Sequence, residues 1–194
     1  MSPADYSTDA GIFPSAEKSF RIFNGTMMRK FLSLTCALAL EMPWTARAEI
    51  KPGDAFPSLE PAILAGAIPA TTGKVTLVDF WASWCAPCKD SFSTYTQLQA
   101  DYASHGLVIV AVSVDQNQSA YDAFIKKMAP SFSTLRDKDQ LLVREVKVPA
   151  MPTCYLLGRD GHVRFIHQGF HGAVTERDIR REINTLLTEN SPAS

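Results

Sequence analysis

The chain of 194 residues has no apolar run as long as the roughly 18 residues that a membrane-spanning helix needs. It also has no block of Lys or Arg, because 19 basic and 20 acidic residues are spread along it and give a formal net charge of −1. A positively charged face is therefore not expected, and nucleic acid is not expected as a partner. Internal repeats and low-complexity tracts are lacking, and the 46% of hydrophobic residues suits a globular domain with its own core.

The first 48 residues differ in character from the rest of the chain. Arg29 and Lys30 precede a mostly apolar stretch over 31–40, and the small-x-small triplet Ala46-Arg47-Ala48 follows. Basic, apolar and small residues in this order are typical of a secretory signal peptide, whereas a core helix would not be expected to have these flanks. We therefore predict that 1–48 are an N-terminal extension with a signal peptide that is removed, and that 49–194 form one domain.

Cysteine is scarce, with four residues in the whole chain. Removal of 1–48 would leave Cys85, Cys88 and Cys154 in an oxidising compartment, where a disulfide can persist. We expect that compartment to be the periplasm, with the chain tethered to the membrane if the signal peptide stays uncleaved.

The domain alternates between strand patterns and helix patterns. Short apolar runs, rich in β-branched residues, predict strands at 75–81, 107–114, 132–135, 154–157 and 162–167, besides one short edge strand within 49–74. Helical spacing predicts helices after residue 85, after Ser119 as a cap, over 141–146 and after Thr175 as a cap. The Asp160-Gly161 turn joins the last two strands as a hairpin. This order predicts an α/β domain in which a mixed sheet has helices on both faces.

Cys85 and Cys88 form a C-x-x-C pair directly after the first predicted strand. A zinc site would need two further ligands at matching spacing, which Cys154 and the histidines do not supply. A structural staple is also disfavoured, because closing so small a loop removes little entropy from the unfolded chain. A redox pair fits better, because a cysteine at a helix N-terminus has its thiolate favoured by the helix dipole. Cys85 takes that position, Pro87 is tolerated in a first turn, and Lys89 adds positive charge.

Two motifs carry a resemblance to a known family. The run Val78-Asp-Phe-Trp-Ala-Ser-Trp-Cys-Ala-Pro-Cys-Lys89 resembles the active-site strand and turn of the thioredoxin superfamily, and Met151-Pro152-Thr153 resembles its cis-proline loop. With the signal peptide and an extra strand-helix unit between the motifs, the chain is similar to the exported TlpA/ResA-like branch over roughly 50–190. The resemblance implies a thioredoxin fold with that strand-helix insert between the active-site helix and the cis-proline loop.

The resemblance also implies roles for single residues. Cys85 would attack a partner's disulfide and Cys88 would resolve the mixed disulfide. Asp79, which lies in the middle of an apolar strand, would sit behind Cys88 and relay its proton, and its alternative is a strand-end carboxylate bonded to backbone. Cys154 is interpreted as a small buried hydrophobe, with a third redox thiol as the alternative. The residues expected to contact substrate are Trp84, Ala86, Pro87, Met151, Pro152 and Thr153.

The chain departs from the pattern of the TlpA/ResA-like branch at two positions. Those proteins commonly have Glu three residues after the second cysteine and Pro two further, where this chain has Ser91 and Ser93. Thioredoxins also tend to place a Lys near the buried Asp, and the comparable stretch Val110-Ala-Val-Ser113 has none. The proton chemistry around Asp79 is therefore the part that the resemblance predicts least.

The expected function is reduction of disulfides in exported proteins, with a membrane thiol-disulfide donor to restore the dithiol. No organic cofactor and no metal is expected, because the electrons reside in the cysteine pair. Ala86-Pro87 between the cysteines resembles the reducing members of the family. Two alternatives stay open, namely an oxidant that donates disulfides and a non-catalytic carrier of copper or of a protein partner.

Overall fold

The structure is a computed structural model that describes residues 49–189, so the predicted signal peptide lies outside the described residues. The elements in chain order are β1 (Val75–Trp81), α1 (Ala86–Tyr102), β2 (Leu107–Ser113), α2 (Gln118–Met128), β3 (Ser133–Arg136), α3 (Leu141–Val146), β4 (Thr153–Leu157), β5 (Val163–Gln168) and α4 (Ala173–Thr188). A single 3-10 turn over Ala103–His105 follows α1. Within the described part, every helix is too short or too polar to cross a membrane.

The five strands form one mixed sheet in the order β3-β2-β1-β4-β5. Both β2 and β3 run parallel to β1, as helical crossovers require, whereas β4 is antiparallel to β1 and pairs with β5 as a hairpin. The central strand β1 is buried along its whole length, which explains its continuous apolar pattern. The predicted thioredoxin fold is therefore confirmed, and one helix and one strand, α2 and β3, correspond to the predicted strand-helix insert between α1 and the cis-proline loop.

An aromatic cluster fixes α1 and α2 on one face of β1. The Trp81 ring centroid lies 4.9 Å from that of Phe92 on α1 and 4.4 Å from that of Phe124 on α2. Phe80 points to the opposite face, where its ring centroid lies 5.9 Å from that of Tyr155. Each such pair adds about 0.5–1.5 kcal/mol beyond the area that it buries. The cluster thus holds the N-terminus of α1 at the carboxyl end of β1.

Helix α4 packs beside α1 through polar contacts at their surface. Arg180 donates hydrogen bonds to Asp101 of α1 at 2.6 Å and to Glu176 of its own helix at 2.9 Å. Asn184 Nδ2 donates to the Tyr102 hydroxyl at 3.2 Å. These contacts place α4 on the same face of the sheet as α1, next to the antiparallel strands.

The predicted cap of α2 is wrong by two residues. Asn117 is the N-cap, since its Oδ1 accepts from the Ala120 backbone N–H at 3.1 Å, and Ser119 lies within the first turn. Asn and Ser cap equally well, so the sequence pattern did not separate them.

The predicted cap of α4 is also wrong. The helix begins at Ala173 after Gly172, and the Thr175 hydroxyl accepts from the His171 backbone N–H at 2.9 Å. Gly172 has a φ of 59° with a ψ of −134°, a conformation that glycine adopts readily. The hydroxyl therefore stabilises the turn ahead of the helix.

The edge strand predicted within 49–74 is not formed. That segment contributes only two single bridges, one between Ala55 and His162 and one between Ala65 and Arg136. Its four prolines lack the backbone N–H that continuous pairing requires.

Candidate active site

The cysteine pair lies where the carboxyl end of β1 meets the N-terminus of α1. Cys85 is the N-cap of α1 and is joined to Cys88 by a disulfide bond. Cys85 is 5% exposed and Cys88 is fully buried, so the little accessible surface that the pair has belongs to Cys85. Pro87 falls in the first turn, which contains no acidic residue. The unpaired N–H groups and the dipole of α1 therefore act on Cys85 without an opposing carboxylate in that turn.

A buried aspartate fixes the chain just ahead of the pair. Asp115, which is 4% exposed, accepts from the Ser83 backbone N–H and hydroxyl, both at 2.9 Å. The Ser113 hydroxyl donates to the same carboxylate at 2.8 Å, and the Cys85 backbone N–H donates to the Ala82 carbonyl at 3.0 Å. The turn between β1 and α1 is thus held to the end of β2 through a charged acceptor, whose hydrogen bonds are stronger than neutral ones.

Trp84 projects from this fixed turn into solvent. It is 73% exposed, the largest exposed fraction among the large hydrophobic residues that the structure describes. It lines a shallow cavity of about 300 Å³ together with Asn117, Ala120 and Gln140. Trp81, in contrast, is fully buried and belongs to the core. Ala86 and Pro87 are exposed beside Trp84, so three of the predicted contact residues share one surface.

The cis-proline loop reaches the same end of the sheet. The Met151–Pro152 peptide bond is cis, and Thr153 opens β4 directly opposite Phe80 of β1. The Thr153 hydroxyl donates to the Ala150 carbonyl at 2.7 Å, and the Pro152 carbonyl accepts from the Gly169 N–H at 2.7 Å. Since Phe80 is next to the last residue of β1, the register brings the loop to the end of β1 that leads into Cys85. Met151 is half-buried, whereas Pro152 and Thr153 are buried.

Asp79 is fully buried in the middle of β1 and points to the face covered by α1. The Tyr95 hydroxyl of α1 donates to Asp79 Oδ1 at 3.0 Å, and Oδ2 has no hydrogen-bond partner among the described residues. The alternative interpretation, a strand-end carboxylate bonded to backbone, is therefore wrong. Burial raises the pKa of Asp79 well above its ordinary value, and the hydrogen bond from Tyr95 lowers it in part.

Cys88 faces the same side of α1 as Tyr95. Cys88, Phe92 and Tyr95 are buried at helical spacing and form one stripe. Side chains of a helix lean towards its N-terminus, so the Tyr95 side chain extends towards the turn that carries Cys88. Phe92 packs on Trp81, and Tyr95 bonds to Asp79, two residues earlier on the same face of β1. The stripe therefore places Cys88 of α1 and Asp79 of β1 at the same helix–strand interface.

Cys154 is a free, buried thiol directly opposite Asp79 in the antiparallel pairing of β1 and β4. Burial raises the pKa of Cys154 far above the ordinary thiol value, and the nearby Asp79 raises it further. The side chain thus stays protonated at neutral pH. Its predicted burial is confirmed, and a role in redox chemistry stays a hypothesis.

His167 is half-buried and pairs with a side chain of α4. Its Nε2 lies 2.6 Å from Oε2 of Glu182 on α4, and the two side chains are 19% and 10% exposed. His167 stands opposite Cys154 in the pairing of β4 and β5. Asp79, Cys154 and His167 are therefore neighbours across β1, β4 and β5. The hairpin pattern predicted the strand and not the helix that covers it.

Ser91 occupies the position at which the TlpA/ResA-like proteins commonly carry Glu. It is fully buried, and its hydroxyl donates to the Cys88 carbonyl at 3.0 Å. This bond satisfies the hydroxyl within α1. Because the residue is Ser, the position offers the cysteine pair no carboxylate.

The sequence reasoning missed Tyr95 and Asp115. Tyr95 lies seven residues after Cys88, a spacing that puts both on one helix face. Asp115 follows β2, and the carboxyl ends of the parallel strands β1 and β2 meet at one edge of the sheet. Both signals were in the sequence, and their partners depend on how the elements pack.

Comparison with known proteins supports the thioredoxin-like assignment of the fold. A family model described as thioredoxin-like matches residues 73–163. The thiol-disulfide oxidoreductase ResA of Oceanobacillus iheyensis is 36% identical over 97 residues, which are 50% of this chain and 50% of that protein. ResA of Bacillus subtilis is 30% identical over 114 residues, which are 59% and 62% of the two chains. The chain thus spans about half to three fifths of the length of these curated relatives.

A solved structure matches over a larger share. A putative thiol:disulfide interchange protein DsbE from Chlorobium tepidum is 31% identical, with a TM-score of 0.66 over 72% of this chain and 99% of that one. A secreted disulfide oxidoreductase of Mycobacterium tuberculosis, 21% identical with a TM-score of 0.53, shares the fold. The chain belongs to the thioredoxin-like family. Within that family its relatives are thiol-disulfide oxidoreductases of the ResA and DsbE type.

Substitution of Asp115 tests the anchor of the active-site turn. Asp115→Ala leaves the Ser83 N–H and two hydroxyls without their acceptor, so we expect the free energy of unfolding to fall by about 2–3 kcal/mol. Urea denaturation measures the fall. The matched control is Asp139→Ala, which removes an exposed carboxylate and should change stability by less than about 0.5 kcal/mol. Equal losses in the two variants would contradict the role of Asp115.

Substitution of Asp79 tests the cost of its burial. Because the pKa of Asp79 is raised in the folded chain, the folded state holds a proton that the unfolded state releases above about pH 4, and stability falls as pH rises from there to the folded pKa. Asp79→Asn removes this loss, which is about 1.4 kcal/mol for each pH unit between the unfolded and folded pKa, so the stability of the variant relative to the wild type should be higher at pH 8 than at pH 4.

Urea unfolding of the oxidised protein at the two pH values measures that gain. The exposed Asp122→Asn serves as the control and should follow the pH dependence of the wild type. A difference between Asp79→Asn and wild type that is the same at both pH values would show that Asp79 does not titrate in this way.

Proposed function

We propose that the chain is an exported, periplasmic oxidoreductase that reduces disulfides of other exported proteins. One observation carries the proposal, namely that Cys85 caps α1 with a small exposed fraction of 5%, while Cys88, one turn further along, is fully buried. The outer sulfur can meet a partner, and the inner sulfur reacts only with its neighbour. This asymmetry suits an attacking thiol and a resolving thiol, and it does not arise from a need for stability.

The chemistry starts from the reduced pair. The Cys85 thiolate attacks one sulfur of the substrate disulfide, the substrate S–S bond breaks, and the departing sulfur takes a proton from water. Asp79 then accepts the proton of the Cys88 thiol, and the Cys88 thiolate attacks Cys85 Sγ. The second substrate sulfur leaves, and the enzyme holds a new S–S bond. Two electrons have moved from the cysteine pair to the substrate.

The first step needs a thiolate at Cys85 near neutral pH. The N-terminus of α1 stabilises that charge through its free N–H groups, and the first turn holds no acidic residue that would oppose them. Lys89 is exposed in the same turn and adds a positive charge. These features support an activated Cys85.

The surface around Cys85 supports binding of an extended polypeptide. Trp84, Ala86 and Pro87 are exposed on one side of the pair, and Met151 is half-buried on the cis-proline loop. A substrate strand would lie along Met151-Pro152-Thr153 by β-type contacts. Exposed aromatic side chains such as Trp84 bury a large area on binding, which suits several protein partners.

Each turnover leaves the enzyme as a disulfide, so continued reduction in an oxidising compartment needs an electron donor. We expect a membrane thiol-disulfide protein in that role. The predicted signal peptide over 1–48 supports the location, and the names of the matched relatives support the reaction class.

Trapping of partners tests the exchange chemistry. In Cys88→Ala the mixed disulfide on Cys85 has no resolving thiol, so we expect it to accumulate with disulfide-bearing periplasmic proteins, while reduction of insulin disulfides falls at least about 100-fold. Non-reducing gel electrophoresis and an insulin turbidity assay measure the two effects. Cys85→Ala is the matched control and should trap nothing. A Cys88→Ala variant that traps no partner but loses bound copper would support the carrier alternative.

The direction of electron flow follows from the reduction potential of the Cys85–Cys88 couple. We expect a value near the roughly −270 mV of thioredoxin, because the proposed enzyme must give electrons to substrate disulfides. Equilibration against defined thiol buffers measures it. A value near about −120 mV would instead define an oxidant that donates disulfides, and the proposed direction would be wrong.

A further inference from the structure

The Tyr95 hydroxyl is placed to act on the proton that Asp79 carries. Tyr95 is fully buried on α1, and its O–H donates to Asp79 Oδ1 at 3.0 Å. Among residues 49–189 no other group forms a hydrogen bond with the Asp79 side chain. A hydrogen bond to a charged group in a dry interior is worth more than a neutral one, so a single donor carries much weight there.

A third buried group lies behind Tyr95. Cys154 of β4 stands opposite Asp79 and interacts with the Tyr95 hydroxyl through its side chain. Tyr95 has one hydroxyl proton, which it donates to Asp79 Oδ1, and its interaction with Cys154 partly lowers the pKa of that buried thiol. The Tyr95 hydroxyl therefore acts on both buried groups.

The surrounding elements offer Asp79 no cation. Its β2 neighbour in the sheet is Ala111, and the groups that face it are Tyr95 from α1 and Cys154 from β4. The carboxylate of Glu182 on α4 acts on Cys154 and is paired with His167. The lysine that thioredoxins tend to place near this Asp is lacking, so a neutral donor is what stabilises the charged form of Asp79.

We propose that Tyr95 is a positioning residue of the disulfide exchange, which holds the Asp79 carboxyl by one oxygen, with the Cys154 thiol behind it, and sets how readily that carboxyl accepts the Cys88 proton. The inference rests on the proposed function. Tyr95 holds Oδ1, so Oδ2 is the oxygen left free to receive the proton. Removal of the hydroxyl would leave the carboxylate without a donor, so its pKa would rise further.

The test is the pH dependence of the exchange in Tyr95→Phe. Loss of the donor should raise the pKa of Asp79, so the acid limb of the single-turnover rate should move up by about one pH unit, and the rate at a fixed pH on that limb should fall about tenfold. The matched control is Tyr121→Phe on α2, which removes the hydroxyl that donates to Thr134 of β3 at 3.0 Å and should leave the acid limb in place. An unmoved limb in Tyr95→Phe overturns the proposal.

A direct measurement separates this inference from the proposed function. The ¹³C signal of the Asp79 carboxyl, assigned by its loss in Asp79→Asn, gives the pKa without any turnover. Tyr95→Phe should raise that pKa by about one unit, and an unchanged value overturns the role of Tyr95 even if the wild type reduces insulin. If the Asp79 pKa rises in Tyr95→Phe but the wild-type protein reduces no disulfide, the proposed function is overturned instead.

The role of Cys154 is tested by a double substitution. Cys154→Ala should change the Asp79 pKa by less than Tyr95→Phe does, because the thiol interacts with the Tyr95 hydroxyl and forms no hydrogen bond with Asp79. In the Tyr95→Phe background the same change should have no further effect. Additive effects of the two substitutions would show that Cys154 acts on Asp79 directly and would overturn its action through Tyr95.

Discussion

The packing of α1 on β1 is the contact on which the whole site depends. Trp81 of β1 packs against Phe92 of α1 and Phe124 of α2, and this packing fixes where α1 begins relative to β1. That beginning puts Cys85 at the dipole end of a helix and Cys88 inside the same interface. A reactive thiolate needs the first environment, and a resolving thiol shielded from partners needs the second. One hydrophobic contact thus produces both environments, while Asp115 holds the turn that leads into Cys85.

The same contact encloses a carboxyl group that weakens the fold. Asp79 would pack better as an apolar residue, since burial of a carboxylate with one donor leaves an oxygen unsatisfied. A strand that is buried on both faces has no structural need for it. A carboxyl group at this position has a use if it exchanges a proton with a buried thiol that bulk water does not reach. Stability and reactivity therefore make opposite demands on position 79, and the site is where the fold departs from local consistency.

The sequence predicted the parts of the fold that depend on local patterns. The strands β1 and β2, the C-x-x-C turn and the cis-proline loop all follow from short runs of residues, and the structure has each of them. The cap of α2 was wrong because neighbouring residues offer equivalent oxygens, as Asn117 and Ser119 do, whereas α4 begins after Gly172, which has no side-chain oxygen. The roles of Tyr95 and Asp115 were missed for a different reason. Their bonds join residues 16 and 32 positions apart, and only the packing of whole elements brings those together.

The exchange of a carboxylate for Ser91 changes how protons are handled around the pair. In the TlpA/ResA-like branch, to which the chain is similar, a Glu at this position is common. Such a Glu would be a second carboxylate able to accept a proton from the cysteines. Here the Ser91 hydroxyl is spent on the Cys88 carbonyl. The buried proton acceptor on the β1 side then has to act alone, and its proton affinity must be set by neutral groups, because no cation stands beside it in the described residues. Tyr95 is the donor in the right place, and that is the physical reason why a tyrosine, rather than another core hydrophobe, faces Asp79.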